Sequence, residues 1–180
     1  YYGENCAKGY AMGLDVKFFG EFVPGTDSWI SFSLMKAQQT IRETTTVPMA
    51  NSQGYNISLF FQDYFPGYKR VKLNLKGVLS GGLPQTIPGK GYEAGYFRTP
   101  AYKRVDIGLS YQLAGGTDAI MDRGFFRHLK NIWLGLDVFN ILDIKNVSSY
   151  YWITDVYNVQ YAVPNYLTGR HLHTIETNIY

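Results

Sequence analysis

His171 and His173 lie two residues apart, so on an extended chain they face the same way, as two ligands of a metal ion would. No Cys, Asp or Glu recurs at a matching spacing. The pair therefore reads as histidines facing a lumen or a strand edge, and neither a metal site nor a cofactor is expected. The single Cys6 rules out an internal disulfide framework and a site built from cysteines alone. Ser80-Gly81-Gly82 lacks the context of a nucleophile elbow. Gly89-Lys90-Gly91 is followed by no strand-to-helix junction that would make it a phosphate cradle. No catalytic residue emerges, and the chain does not read as an enzyme. Two aromatic clusters carry more chemistry: Tyr92, Tyr96, Phe97 and Arg98 in one stretch, and Tyr150, Tyr151, Trp152, Tyr157, Tyr161 and Tyr166 in another. Such rings stack on sugar rings or grip a chelate, and they equally pack on one another at the rim of a fold.

The elements that would hold these clusters show a period of two. Met12, Leu14, Val16, Phe18 and Phe22 share one face of an extended segment, with Asp15, Lys17 and Glu21 on the other. Ile30, Phe32 and Leu34 alternate with Ser31 and Ser33; Tyr55, Ile57, Leu59 and Phe61 with Asn56, Ser58 and Gln62; Val71, Leu73 and Leu75 with Lys72, Asn74 and Lys76. Val105, Ile107, Leu109, Tyr111 and Leu113 oppose Arg104, Asp106, Gly108, Ser110 and Gln112. Ile132, Leu134, Leu136 and Val138 form a sixth segment, and residues 170–180 a seventh. Several run nine to eleven residues, enough for a tilted strand to cross a bilayer, while no apolar stretch approaches the roughly 20 residues of a membrane helix. Seventeen basic and 14 acidic groups are too balanced for nucleic-acid binding.

Both a soluble sandwich and a membrane barrel bury one strand face, so other features must choose between them. Connections at Pro24-Gly25 and Pro66-Gly67 are tight, whereas those near 38–54, 80–102 and 143–168 are long loops. Short turns on one side and long loops on the other characterise outer-membrane barrels. Phe22, Trp29, Tyr64, Phe65, Tyr102, Tyr111, Trp133 and Phe139 sit at strand ends, where interfacial girdles form, and Tyr180 ends the chain on an aromatic. Residues 114–130 form a longer link, either a short amphipathic helix at the inner interface or a loop packing its own aromatics; His128 belongs to this basic stretch. Complete bacterial barrels have an even number of strands, so seven leave two open edges and point to an arc of a larger barrel. The start Tyr1-Tyr2-Gly3-Glu4-Asn5 is no signal peptide, and an export signal is expected upstream.

Three stretches, in order, resemble the end of a TonB-dependent receptor. Residues Pro100-Ala101-Tyr102-Lys103-Arg104-Val105-Asp106-Ile107-Gly108-Leu109 resemble a signature strand of that family. Leu136-Asp137-Val138-Phe139-Asn140-Ile141-Leu142-Asp143-Ile144-Lys145 resembles its following strand ending, and Pro164-Asn165-Tyr166-Leu167-Thr168-Gly169-Arg170 the loop that launches the last strand. The resemblance spans about residues 10–180 and implies an all-β fold: an antiparallel transmembrane β-barrel of 22 strands, of which residues 1–180 supply about seven C-terminal strands. It further implies a plug domain in the lumen, a location in the outer membrane of a Gram-negative bacterium, and import of a siderophore, cobalamin or oligosaccharide driven by TonB. The partners are then outer-membrane lipid, the remainder of the barrel and its plug, TonB, and a small-molecule or oligosaccharide ligand. On this reading the outer-loop residues Tyr92, Tyr96, Phe97, Arg98, Tyr150, Tyr151, Trp152, Tyr157 and Tyr161 meet the ligand. Asp15, Lys17, Glu21, Lys72, Lys76, Arg104, Asp106 and Asp137 face the lumen, pairing across strands or meeting the plug. The last strand departs from the pattern, placing Leu172, Thr174, Glu176, Asn178 and Tyr180 on one face and His171, His173, Ile175 and Ile179 on the other. A passive porin or structural barrel, a barrel enzyme, and a truncated inactive reading frame are the alternatives.

Overall fold

The first six alternating stretches lie in strands of one antiparallel sheet, which residues 172–174 of the seventh also join. The computed structural model describes residues 7–42, 45–89, 95–115, 131–167 and 172–174. Their strands are β1 (Ala7–Val23), β2 (Thr26–Ile41), β3 (Thr45–Pro48), β4 (Tyr55–Phe65), β5 (Tyr68–Ser80), β6 (Pro84–Thr86), β7 (Tyr96–Arg98), β8 (Tyr102–Gly115), β9 (Asn131–Val138), β10 (Asn146–Thr154), β11 (Gln160–Leu167) and β12 (Leu172–Thr174). The main sheet runs β1-β2-β4-β5-β8-β9-β12, with β3 folded back on β2, and it does not close on itself. No helix occurs among the described residues. The link over 116–130, where a helix or a self-packed loop is expected, lies outside them, as does the last strand beyond Thr174.

Two connections are as tight as expected. Pro24-Gly25 joins Val23 to its partner Thr26, and Pro66-Gly67 joins Phe65 to Tyr68. Gly25 and Gly67 have φ of 85° and 81°, so Pro then Gly forms the type II arrangement, which demands a left-handed second residue. Type II turns splay hairpin strands, and a register shift lies beside each turn, at Gly20/Val23 and at Tyr64/Phe65.

The long connections are not loops. β2 continues to Ile41 and β3 pairs back on it, Gln39 opposite Val47. The 80–102 connection contains the β6–β7 hairpin, and the 143–168 connection the β10–β11 hairpin. Strand direction alternates along the sheet, so β3 and both small hairpins occur at the end opposite the Pro-Gly turns. The lopsidedness expected of the connections therefore holds, but the long side is built from short β-ladders.

Register keeps the apolar face continuous from strand to strand. Val16, Phe32, Ile57 and Leu79 form one cross-strand row. Phe61, Leu75, Ile107 and Val138 form another, and Leu73, Leu109 and Leu136 a third. This face is exposed: Phe18 retains 67% of its accessible surface, Leu14 58% and Leu109 43%. The opposite face, carrying Ser31, Asn56, Gln62, Asn74, Asp106 and Ser110, is half-buried or buried. Among the described residues the only buried hydrophobic side chains are Ala37, Val47 and Ala114. A water-soluble sheet covers its apolar face; in β2, β4, β8 and β9 the polar face is the more covered one, while on the edge strand β1 Asp15 and Lys17 are exposed.

The aromatics expected in girdles divide between the two faces. Phe65 and Tyr68 form a ring pair with centroids 6.2 Å apart, and they and Tyr111 are exposed. Trp29, Tyr64 and Trp133 instead lie on the polar face, where they meet lysines. Phe139 lies under the Arg104 guanidinium, 5.2 Å from the ring centroid. Alternation assigns the face residue by residue, so an aromatic at a strand end is not by that alone on the apolar side.

Candidate functional site

The connections at the sheet end opposite the Pro-Gly turns bring together three of the nine residues expected to meet a ligand. Phe97, in the middle of β7, stands edge-on to Tyr150 and Trp152 of β10, with centroids 5.2 and 5.9 Å apart. These are favoured T-shaped geometries, and the three rings bind one another before any ligand. Arg98 is engaged too: its Nη1 donates to the Ser52 carbonyl at 2.7 Å and to the Gly82 carbonyl at 2.9 Å. Tyr92 lies outside the described residues.

Tyr151 and Tyr161 occupy the other face of the β10–β11 hairpin. Tyr151 pairs with Val163 and Ile153 with Tyr161, a patch of four exposed side chains. Asn165 tethers one edge, its Nδ2 donating to Ser149 Oγ at 3.3 Å and to the Tyr151 hydroxyl at 3.5 Å. At the tip the Asp155 carboxylate accepts from the backbone N–H groups of Tyr157 and Val159, at 2.8 and 2.9 Å. This turn presents Val156 and Tyr157 to solvent, 93% and 84% exposed. Tyr96 is also exposed. Sequence reasoning missed Asp155 and Asn165; an Asp opening a turn between two β-prone runs is the signal that would have found the first.

Beside these hairpins, Ser80-Gly81-Gly82 proves to be a packing node. A Cβ on Gly82 would fall 1.6 Å from the Thr99 carbonyl oxygen, and one on Gly81 2.1 Å from that of Gln53. Ser80 Oγ donates to Asn56 Oδ1 at 2.8 Å.

A second constellation joins two distant stretches of the chain. The buried Asp106 carboxylate accepts from Arg104 Nε and Nη2, the latter at 2.7 Å, and from the Asn140 backbone N–H at 2.8 Å. Ile141 N–H donates to the Val105 carbonyl at 2.8 Å. Asn140, at φ 54°, closes its own loop by exchanging hydrogen bonds with the Ile144 backbone. Asn146 imitates a strand residue, accepting from the Lys103 N–H and donating to its carbonyl, both at 2.8 Å. The segment that follows β9 is thereby fastened to the start of β8.

Among the described residues, the lysines of the polar face meet aromatic rings of neighbouring strands and not carboxylates. Arg104–Asp106 is an ion pair within one strand. Lys17 stands over Trp29 at 4.8 Å, Lys76 over Phe60 at 5.9 Å, and Lys72 between Tyr64 and Trp133 at 5.1 and 4.7 Å. Ring faces on a partly covered surface hold ammonium groups without a carboxylate. Glu21 accepts from the Gly25 N–H and caps its turn. A cavity of about 450 Å³ opens where β1, β2 and β4 meet, lined by Met12, Asp15, Leu34, Gln53, Tyr55 and Asn56 among others. No group of three or more His, Cys, Asp or Glu residues that could hold a metal occurs among the described residues. His171 lies outside them, and His173 is opposite Asp137 in the ladder.

The chain matches no protein-family model, no curated protein and no solved structure.

Proposed function

We propose that this chain is an arc of an outer-membrane β-barrel, part of a TonB-dependent transporter whose outer aromatic hairpins meet a scarce small-molecule or oligosaccharide ligand. The observation that carries the membrane part is the inverted exposure of the sheet, with Leu14, Phe18, Ile30, Leu109 and Leu136 open while Asp106, Asn74 and Gln62 are covered. Apolar area left in water is unfavourable by about 25 cal/mol per Å², a penalty that disappears against hydrocarbon. Bilayer-facing strands have this apolar-out, polar-in pattern. Two further features agree. All the small hairpins occur at one end of the sheet and the Pro-Gly turns at the other. Among the described residues β1 and β12 have no neighbour on their outer side, and in a bilayer further strands must satisfy their backbone groups.

The transporter part rests on the resemblance of residues 100–109, 136–145 and 164–170. It is supported by the contact between the first two stretches at Asp106, Asn140 and Ile141. The 22-strand count, the plug, TonB and the outer membrane of a Gram-negative bacterium follow from that resemblance.

A charge swap on each face tests the lipid-facing assignment. Leu109→Lys, in the middle of the apolar band, is expected to destabilise the protein in lipid bilayers by about 2–4 kcal/mol. Gln62→Lys, on the polar face of β4, is expected to cost less than about 1 kcal/mol. Urea unfolding in bilayers measures both. If Leu109→Lys is as stable as the parent, the exposed face is a water-facing one and the proposal fails.

A further inference from the structure

We infer that Phe97 and Arg98 are positioning residues of a yoke: the β6–β7 hairpin couples β10–β11 to residues 49–54, so that the three outer connections move as one. The inference concerns how these segments move, and it stands whether or not they meet a ligand.

Adjacent residues of β7 engage opposite neighbours. Phe97 packs its ring edge-on against Tyr150 and Trp152, on the face of β10 turned away from the exposed Tyr151 and Tyr161. Arg98 reaches the other way, to the Ser52 carbonyl. Because the period of a strand is two, successive side chains must point apart, and one short strand can grip two bodies at once. The same Arg98 nitrogen also holds the Gly82 carbonyl, and Thr99 exchanges bonds with Leu83, Thr99 N–H to its carbonyl and Leu83 N–H to Thr99 Oγ1, both at 2.9 Å. The absence of a Cβ on Gly82 is what lets the Thr99 carbonyl come so close. The base of the yoke is therefore tightly built rather than loosely hinged.

The far end of the link is just as well held. Ser52 is buried; its N–H donates to the Met49 carbonyl at 2.9 Å, and its Oγ accepts from the Ala37 N–H of β2 at 3.3 Å. The next residue, Gln53, lines the 450 Å³ cavity together with Asp15 and Asn56. A displacement of β10–β11 thus has a continuous path of ring contacts and hydrogen bonds to the wall of that cavity. Coupling through such a chain requires contacts that hold or release together. The bulky rings and the doubly engaged guanidinium provide them.

Hydrogen exchange of the full-length protein in detergent micelles, without ligand, tests the yoke. Phe97→Ala and Arg98→Ala are each expected to speed exchange about tenfold or more in both 49–54 and 146–167, while β4, β5 and β8 stay protected. Phe97→Tyr keeps a ring against Tyr150 and Trp152 and is expected to leave both segments protected. Two results overturn the inference: each alanine variant loosening only the segment it touches, or Phe97→Tyr failing to restore 49–54. If Phe97→Ala also opens the main sheet, Arg98→Lys, which loses the planar fork, is judged by whether exchange in 146–167 rises with that in 49–54.

Discussion

Asp106 shows what a single side chain contributes to this sheet. Its carboxylate is 5% exposed and holds both the Arg104 guanidinium, two residues along the same strand, and the Asn140 N–H, 34 residues away. Hydrogen bonds to a charged group are worth about 1.5–3 kcal/mol each, though the partly exposed Arg104 can turn to water. Asp106→Ala is therefore expected to destabilise the protein by about 2–3 kcal/mol, chiefly by stranding the Asn140 N–H. Asp106→Asn, which keeps an acceptor there, should lose about half as much, as urea midpoints would show. The inward direction of Asp106 was readable from alternation with Val105 and Ile107. Its bond to Asn140 was not, because nothing local says which backbone N–H a carboxylate will reach.

At the scale of elements, the β10–β11 hairpin divides the aromatic cluster between its two faces. Tyr150 and Trp152 pack on Phe97, while Tyr151 and Tyr161 remain open on the opposite face. Under the proposed function, Tyr151→Ala with Tyr161→Ala raises the Kd for the transported ligand roughly tenfold or more without loosening the hairpin. Equilibrium binding by the full-length receptor measures this, and unchanged affinity in the folded double variant would return these rings to a packing role. The hairpin itself was missed for a physical reason. Pro164 cannot donate to a ladder, so a run containing it argues against a strand. Pro164 is tolerated opposite Tyr150 because β11 has β10 on one side only. The same holds for β6 and β7, three residues each, too short for any periodicity to register.

At the scale of the whole molecule the decisive property is that one sheet leaves much of its apolar face open and, among the described residues, has no neighbour beyond β1 or β12. Seven strands of the main path cannot close, and a barrel of the proposed kind needs further strands to pair with β1 and β12. Residues 1–180 refolded alone in detergent are accordingly expected to show no heat-modifiable migration on gels, whereas the full-length protein is expected to show it. A heat-modifiable band from the 180 residues alone would mean that these strands close a small barrel by themselves.

The positions of the main-sheet strands β1, β2, β4, β5, β8 and β9, the tight Pro-Gly turns and the assignment of Val105, Ile107 and Leu109 to one face and Arg104, Asp106 and Gly108 to the other were determined by the sequence by itself. They are local: a period of two and the backbone preferences of Pro and Gly act within a few residues. Tertiary structure alone decided that Lys17, Lys72 and Lys76 stand over rings rather than against carboxylates. It also decided that Phe97 and Arg98 are already engaged by Trp152 and Ser52. These outcomes depend on which residues come opposite each other across strands and between hairpins. That pairing is set by the register of the entire sheet, which no single stretch of the chain contains.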